Sequence, residues 1–174
     1  CALFVLVALK TYSQVPLISW EKSYGGSGFD SPNFSNCLIK TSDNGYIISG
    51  FTESSNGDLT GNNVAGRDIW VVKTNSSGDL QWQKNYGGFG HEQSSSIIQT
   101  SDGGYVLAGS SNLNDGDVTQ NYGMTDFWVI KINSLGVLQW QKSFGGSADE
   151  TAYDIKQTSD GGYIVVGYTA SVGT

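Results

Sequence analysis

Thr100-Ser101-Asp102-Gly103-Gly104-Tyr105-Val106-Leu107-Ala108-Gly109 reads as a tight turn running straight into an apolar strand. Glycine supplies the positive φ that a short hairpin needs, and the aspartate caps the turn through its side chain. The turn joins strand-like runs at 95–100 and 105–110. A second hairpin follows, with 126–132 and 137–144 joined by Asn133-Ser134-Leu135-Gly136. All four runs draw on Val, Ile, Tyr, Trp or Phe, and none contains proline. No segment holds a helical period, and 24 glycines in 174 residues argue against long helices.

Working outward, the same four runs recur. The turn returns as Thr41-Ser42-Asp43-Asn44-Gly45-Tyr46 and Thr158-Ser159-Asp160-Gly161-Gly162-Tyr163. Asp126-Phe127-Trp128-Val129-Ile130-Lys131 matches Asp68-Ile69-Trp70-Val71-Val72-Lys73, and Trp140-Gln141-Lys142-Ser143-Phe144-Gly145-Gly146 matches Trp82-Gln83-Lys84-Asn85-Tyr86-Gly87-Gly88 and Trp20-Glu21-Lys22-Ser23-Tyr24-Gly25-Gly26. Trp82 and Trp140 are 58 positions apart, as are Thr100 and Thr158, whereas Trp20 and Trp82 are 62 apart. Most of the excess falls between Gly26 and Thr41, in a connection where length is tolerated. A fixed period of this size signals a repeat architecture in which each unit buries its faces against its neighbours.

Patterning ranks the strands. Tyr105-Val106-Leu107-Ala108 and Phe127-Trp128-Val129-Ile130 are apolar on both faces, whereas Leu80-Gln81-Trp82-Gln83-Lys84-Asn85-Tyr86 alternates like a strand with one wet face. A four-stranded antiparallel meander, repeated and buried on both sides, is the blade of a β-propeller. The expected fold is therefore all-β, an incomplete propeller arc with a ~58-residue repeat spanning 14–174. Residues 18–24 form a closing outer strand, 36–86 a first blade, 95–144 a second, and 152–174 the inner half of a third. A β-solenoid is the main rival, but its coils are shorter and lack hairpin turns.

The chain lacks an initiator methionine and stops within a repeat, so further blades are expected beyond it. Residues 2–9 form an apolar run of eight, far short of the ~20 needed to span a bilayer. With small residues at Thr11 and Ser13, residues 1–13 read as the remnant of a secretory signal peptide; the competing reading is a first strand of the domain. The net charge of −7, or −8 without Lys10, and the lack of any basic cluster make nucleic acid and anionic membranes poor partners. Without Cys1 the only cysteine is Cys37, which aligns with Ser96 and Asp154; no disulfide framework exists, and the fold must hold by packing.

Together, the Gly-Gly-Ser-x-x-Asp segment, the Thr-Ser-Asp-Gly-Gly-Tyr turn and the Asp-(Ile/Phe)-Trp-Val-(Val/Ile)-Lys strand resemble the bacterial secreted β-propeller repeat of Bacteroidetes-type surface proteins. The resemblance covers essentially all of 20–174. It implies an extracellular repeat module, often carried beside sorting or adhesive domains, and no shared catalytic activity. The first unit departs from it by inserting Ser31-Pro32-Asn33-Phe34, and the second by Phe89 and His91. The turn-and-Trp element at 75–82 is also similar to quinoprotein propellers, and the Ser-Asp-x-Gly turns to sialidase Asp boxes; both likenesses are taken as convergent turn chemistry.

The long connections after the second and fourth strands emerge at one end, the expected binding face for an extracellular protein or glycan. There Asp58, Asp115 and Asp117, with Asn56 and Asn114, have oxygen-rich spacing suited to Ca²⁺, although turn formation explains the same residues. No cofactor is called for otherwise. Asp68 and Asp126 are expected to bond a loop amide. Trp20, Trp82 and Trp140 are expected to pack between blades rather than stack on sugars. Glu92, Asp149 and Glu150 are read as solvated loop charges rather than a glycosidase acid pair. The sole His91 has no second His or Cys nearby for zinc. The expectation is a non-enzymatic scaffold or recognition module, against a lectin-like propeller or an enzyme whose site lies in missing blades.

Overall fold

The computed structural model describes residues 4–12, 15–32, 36–60 and 66–172, and within them every regular element is a strand. In chain order these are β1 (Phe4–Tyr12), β2 (Val15–Tyr24), β3 (Asp30–Ser31), β4 (Leu38–Lys40), β5 (Tyr46–Thr52), β6 (Asp68–Thr74), β7 (Leu80–Tyr86), β8 (Gln93–Gln99), β9 (Tyr105–Ser111), β10 (Asp126–Ile132), β11 (Leu138–Phe144), β12 (Glu150–Gln157) and β13 (Tyr163–Thr169). The four strands of the second unit fall within two residues of the runs read from the sequence. They form one antiparallel sheet in the order β8-β9-β10-β11. The first unit repeats it as β5-β6-β7, with its first strand split into β3 and β4, both pairing with β5. The split coincides with the inserted connection, of which residues 33–35 lie outside the described residues. Two hairpins, β1-β2 and β12-β13, flank the two larger sheets.

These four layers stack face to face in chain order, and each junction has its own apolar core. Leu6, Trp20 and Tyr24 of the first hairpin meet Ile48, Leu59, Trp70 and Val72. Ile47, Ile69, Val71 and Tyr86 meet Ile97, Tyr105, Leu107, Trp128, Ile130 and Ile132. Val106, Ala108 and Val129 meet Ala152 and Ile155, with Tyr163 and Val165 against them. Strand β6 thus sends Ile69 and Val71 one way and Trp70 and Val72 the other, which is why its sequence shows no polar face. Both buried indoles are satisfied inside their own sheet: Trp70 donates to Gln83 Oε1 (2.9 Å) and Trp128 to Gln141 Oε1 (2.8 Å). The alternating glutamines of the fourth strand answer that need.

The apolar run at the N-terminus is placed from Phe4 onward as β1, paired along its length with β2. It has a surface to pack on, as the competing reading of a first strand requires: Leu6 is buried against the core that holds Trp70. Cys37, Ser96 and Asp154 do occupy one structural position, each preceding an apolar residue of its first strand, and Cys37 is buried with its Sγ facing Ser94 O and Ser95 O (3.8 Å each). No helix of the described residues is long and apolar enough to cross a membrane.

Candidate functional site at the long-loop end

The repeated turns lie at one end of the stack and act as braces. Thr100 accepts and donates backbone bonds across the turn to Gly103 and Gly104, and Asp102 Oδ1 accepts from the Thr100 hydroxyl and from Gly104 N. The nearly buried Lys131 then ties Asp102 to Ile132 O and Gln139 Oε1, and Lys73 does the same for Asp43, Thr74 O and Gln81 Oε1. These ion pairs pull Asp43 down to about 2, chiefly through the Lys73 bond, and lower Asp102 through Thr100 and Lys131. Between layers, Ser42 N donates to Gln99 Oε1 and Ser101 N to Gln157 Oε1. The fourth-strand tyrosine hydroxyls do likewise, Tyr24 donating to Gly78 O and Tyr86 to Gly136 O (2.6 Å). Gly136, at φ +75°, must be glycine for a second reason: a Cβ there would press on the Trp82 ring.

The long loops gather at the other end, as expected, and brace each other. Asp58 accepts from Gly25 N, Asn56 from Ser27 N, Asp117 from Gly87 N and Asp115 from Phe89 N. The three calcium candidates therefore each face main-chain N–H groups of the preceding Gly-Gly loop. Among the described residues no group of three His, Cys, Asp or Glu is arranged to hold a metal ion.

Beneath these loops lies a carboxylate arrangement that the sequence reading misjudged. Glu92 and Glu150, taken as solvated, are buried, and only Asp149 is exposed. Asp30, Glu92 and Glu150 are equivalent: each accepts from the second glycine of its loop (Gly26, Gly88, Gly146) and from a hydroxyl at the end of the second strand (Thr52, Ser111, Thr169). Burial of the carboxyl is what these bonds make tolerable. Among the described residues Asp68 accepts from the Asn85 side chain, the loop at 61–65 lying outside them, while Asp126 accepts from Tyr122 N, a loop amide. Their other oxygens, Asp68 Oδ1 and Asp126 Oδ1, accept no hydrogen bond from the described residues. A side chain on Gly87 would overlap both Asp68 Oδ1 and Glu92 Oε2, and one on Gly145 both Asp126 Oδ1 and Glu150 Oε2. Two acids thus converge under the Gly87-Gly88 loop and two under the Gly145-Gly146 loop. Burial pushes Glu92 up to about 7 and Asp68 up to about 6, each further raised by nearby carboxylates. Burial likewise raises Asp126, whereas at Glu150 burial is outweighed by bonds from Gly146, Ser171 and Thr169, which bring it down to about 2. A perturbed acid pair suggests catalysis, but recurrence at successive junctions and enclosure by backbone mark this one as a brace. The one signal in the sequence was the acid recurring at positions 30, 92 and 150.

A cleft of about 380 Å³ opens beside it, between the two larger sheets, lined by Glu53, Arg67, His91, Gln93, Ser110 and Asn112. Backbone bonds from Arg67 N to Gly90 O (3.1 Å) and from Glu92 N to Arg67 O (2.7 Å) fix its floor, and His91 N donates to Asn112 Oδ1 (2.7 Å). Arg67 Nε donates to Glu53 Oε1 at 2.6 Å, and the guanidinium lies 4.6 Å over the Phe51 ring. At the next junction Thr125 and Asp149 stand where Arg67 and His91 stand here. Arg67 and His91 thus break the repeat and line one cleft with polar side chains. Sequence reading took His91 as an isolated departure because Arg67, 24 positions earlier, meets it only across the parallel bridge between sheets. The three repeated tryptophans, by contrast, pack between layers: Trp20 on Tyr46, Trp82 on Tyr105 and Trp140 on Tyr163, with ring centroids 5.8, 6.3 and 5.8 Å apart.

The chain matches no known family model, and no curated protein matches it.

Proposed function

We propose that the stacked sheets are successive blades of a β-propeller arc and that the chain is a non-enzymatic, extracellular recognition module of the secreted β-propeller repeat kind. What supports the blade reading is the repetition of the same four-stranded meander, the same junction cores and the same turn-to-turn braces along the stack. The observation that carries the functional reading is the Arg67–His91 cleft at the long-loop end, where rigid braced loops hold one set of polar groups that the other units lack. Such a floor, built from main-chain bonds, positions donors without a nucleophile–base pair, and suits a polar extracellular ligand, a glycan or a loop of another protein. The lectin alternative with one aromatic platform per blade is disfavoured by the packing of all three tryptophans. An enzyme whose site lies in other blades is the remaining alternative.

Glycan-array and extracellular-matrix binding by the wild-type chain, compared with Arg67→Ala and His91→Ala, tests this. Loss of at least tenfold in affinity in both variants, with unchanged circular dichroism, is the expected result. Ligands retained equally by both variants would remove the cleft from the proposal, and turnover of any bound glycan would overturn the non-enzymatic reading.

A further inference from the structure

The second unit departs from its copies at two neighbouring loop positions, one of them at the cost of a hydrogen bond. Two residues past the second strand, Ser54 in the first unit and Ser171 in the third hold the loop that follows the fourth strand: their hydroxyls accept from Gly28 N (2.8 Å) and Ala148 N (3.1 Å). The second unit has Leu113 there, which offers the loop no side-chain oxygen and stands 45% exposed. Likewise Phe89 follows the paired glycines where Ser27 and Ser147 follow theirs, and it is 64% exposed. The two positions adjoin, since a Cβ built on Gly90 would meet Leu113 Cβ at 3.0 Å. The other units build this loop with serine, so neither apolar side chain is needed to form it. Apolar groups turned to water inside a polar surround mark a surface that another molecule covers.

The side chains around them have the composition of a protein interface. Phe29 leans on Phe51 with ring centroids 5.5 Å apart, and the Arg67 guanidinium lies 4.6 Å over the Phe51 ring. Met124 is exposed beside Thr125, which lines the cleft with His91 and Asn112. Aromatic residues, methionine and arginine gather at the centres of interfaces, and charged residues at their rims.

Here the rim is acidic. Glu53, Asp58, Asp115, Asp117 and Asp149 stand in the long loops, in which Arg67 is the only lysine or arginine of the sequence. Arg67 is engaged by Glu53. Asp58, Asp115 and Asp117 accept from main-chain N–H groups, which position a carboxylate without cancelling its charge. A negative field over an apolar centre steers and selects a positively charged partner.

We propose that this face docks a basic polypeptide segment of another protein, with an apolar side chain seated on Phe89 and Leu113 and its lysines or arginines among Asp115, Asp117 and the neighbouring loop acids. The proposal rests on the long-loop end being the binding face and names the partner class. A neutral glycan gives these carboxylates nothing to pair with, and an acidic one is repelled.

The test is to pan a random-peptide display library on the immobilised 174-residue chain, then titrate the best synthetic peptide into wild type and variants. Enrichment of lysine or arginine together with leucine or an aromatic residue is the expected selection, with affinity falling as salt rises from ~50 to ~300 mM. Phe89→Ser and Leu113→Ser install the residues of the sister units, so both should fold, and Leu113→Ser should be no less stable to urea than wild type. Each should lose roughly tenfold in peptide affinity. No enrichment, enrichment of acidic peptides, or full affinity in both serine variants overturns the proposal. A ligand lost on Arg67→Ala and His91→Ala but kept by both serine variants also overturns it, while leaving the cleft reading intact. Loss in the serine variants alone supports it and removes the cleft.

Discussion

Glu92 shows how much a single side chain depends on what closes over it. Its sequence context, Gly-His-Glu-Gln-Ser, is that of a surface loop, yet the carboxyl lies under Gly88 and Ser111 beside Asp68. Burial raises both acids, Glu92 to about 7 and Asp68 to about 6. Between about pH 4 and 7 these two acids therefore keep protons that the unfolded chain has released, and their contribution to stability falls as pH rises through that window. Glu92→Gln keeps the shape and removes one titration. The expected outcome is a shallower fall in urea midpoint between pH 5 and 8, the variant gaining on the order of 2 kcal/mol relative to wild type at pH 8. An unchanged slope would show that Glu92 is not titrating there. The residue was misread for a plain reason: whether a loop acid is solvated depends on the neighbouring layer, which local sequence does not contain.

At the scale of elements, the recurring Lys at the end of the third strand decides how a hairpin is held. Lys131 and Lys73 are the buried cations of the two complete sheets, each bonded to a turn aspartate, a carbonyl and a fourth-strand glutamine. They join the first hairpin of a sheet to the second, a link the 58-residue period displayed but did not explain. Lys131→Met preserves the aliphatic stem and strands those acceptors, so we expect a loss of about 1–3 kcal/mol in urea denaturation. The Asp102 turn should also exchange amide hydrogens faster, while Lys142→Met on the outer strand should do neither. The strands of the second unit and the repeated turns were legible beforehand, because alternation, β-branching and glycine placement act locally.

Across the whole molecule, layers buried on both sides should open last. Hydrogen exchange is expected to be slowest in β6, β9 and β10, intermediate in β7, and fastest in β13, whose Ile164, Val166 and Tyr168 face solvent. Protection of β13 equal to that of β9 would contradict this order.

The amino-acid sequence alone determined the all-β class, the repeating unit, the order of its strands and the end from which its long loops emerge. Each of these follows from short-range preferences repeated at a fixed interval, and repetition averages away local ambiguity. Only the tertiary structure decided that 4–12 is a strand with a surface to pack on, that Glu92 and Glu150 are buried beside Asp68 and Asp126, and that Arg67 meets His91. Those facts arise where one layer closes on the next, from contacts between residues that no local pattern relates.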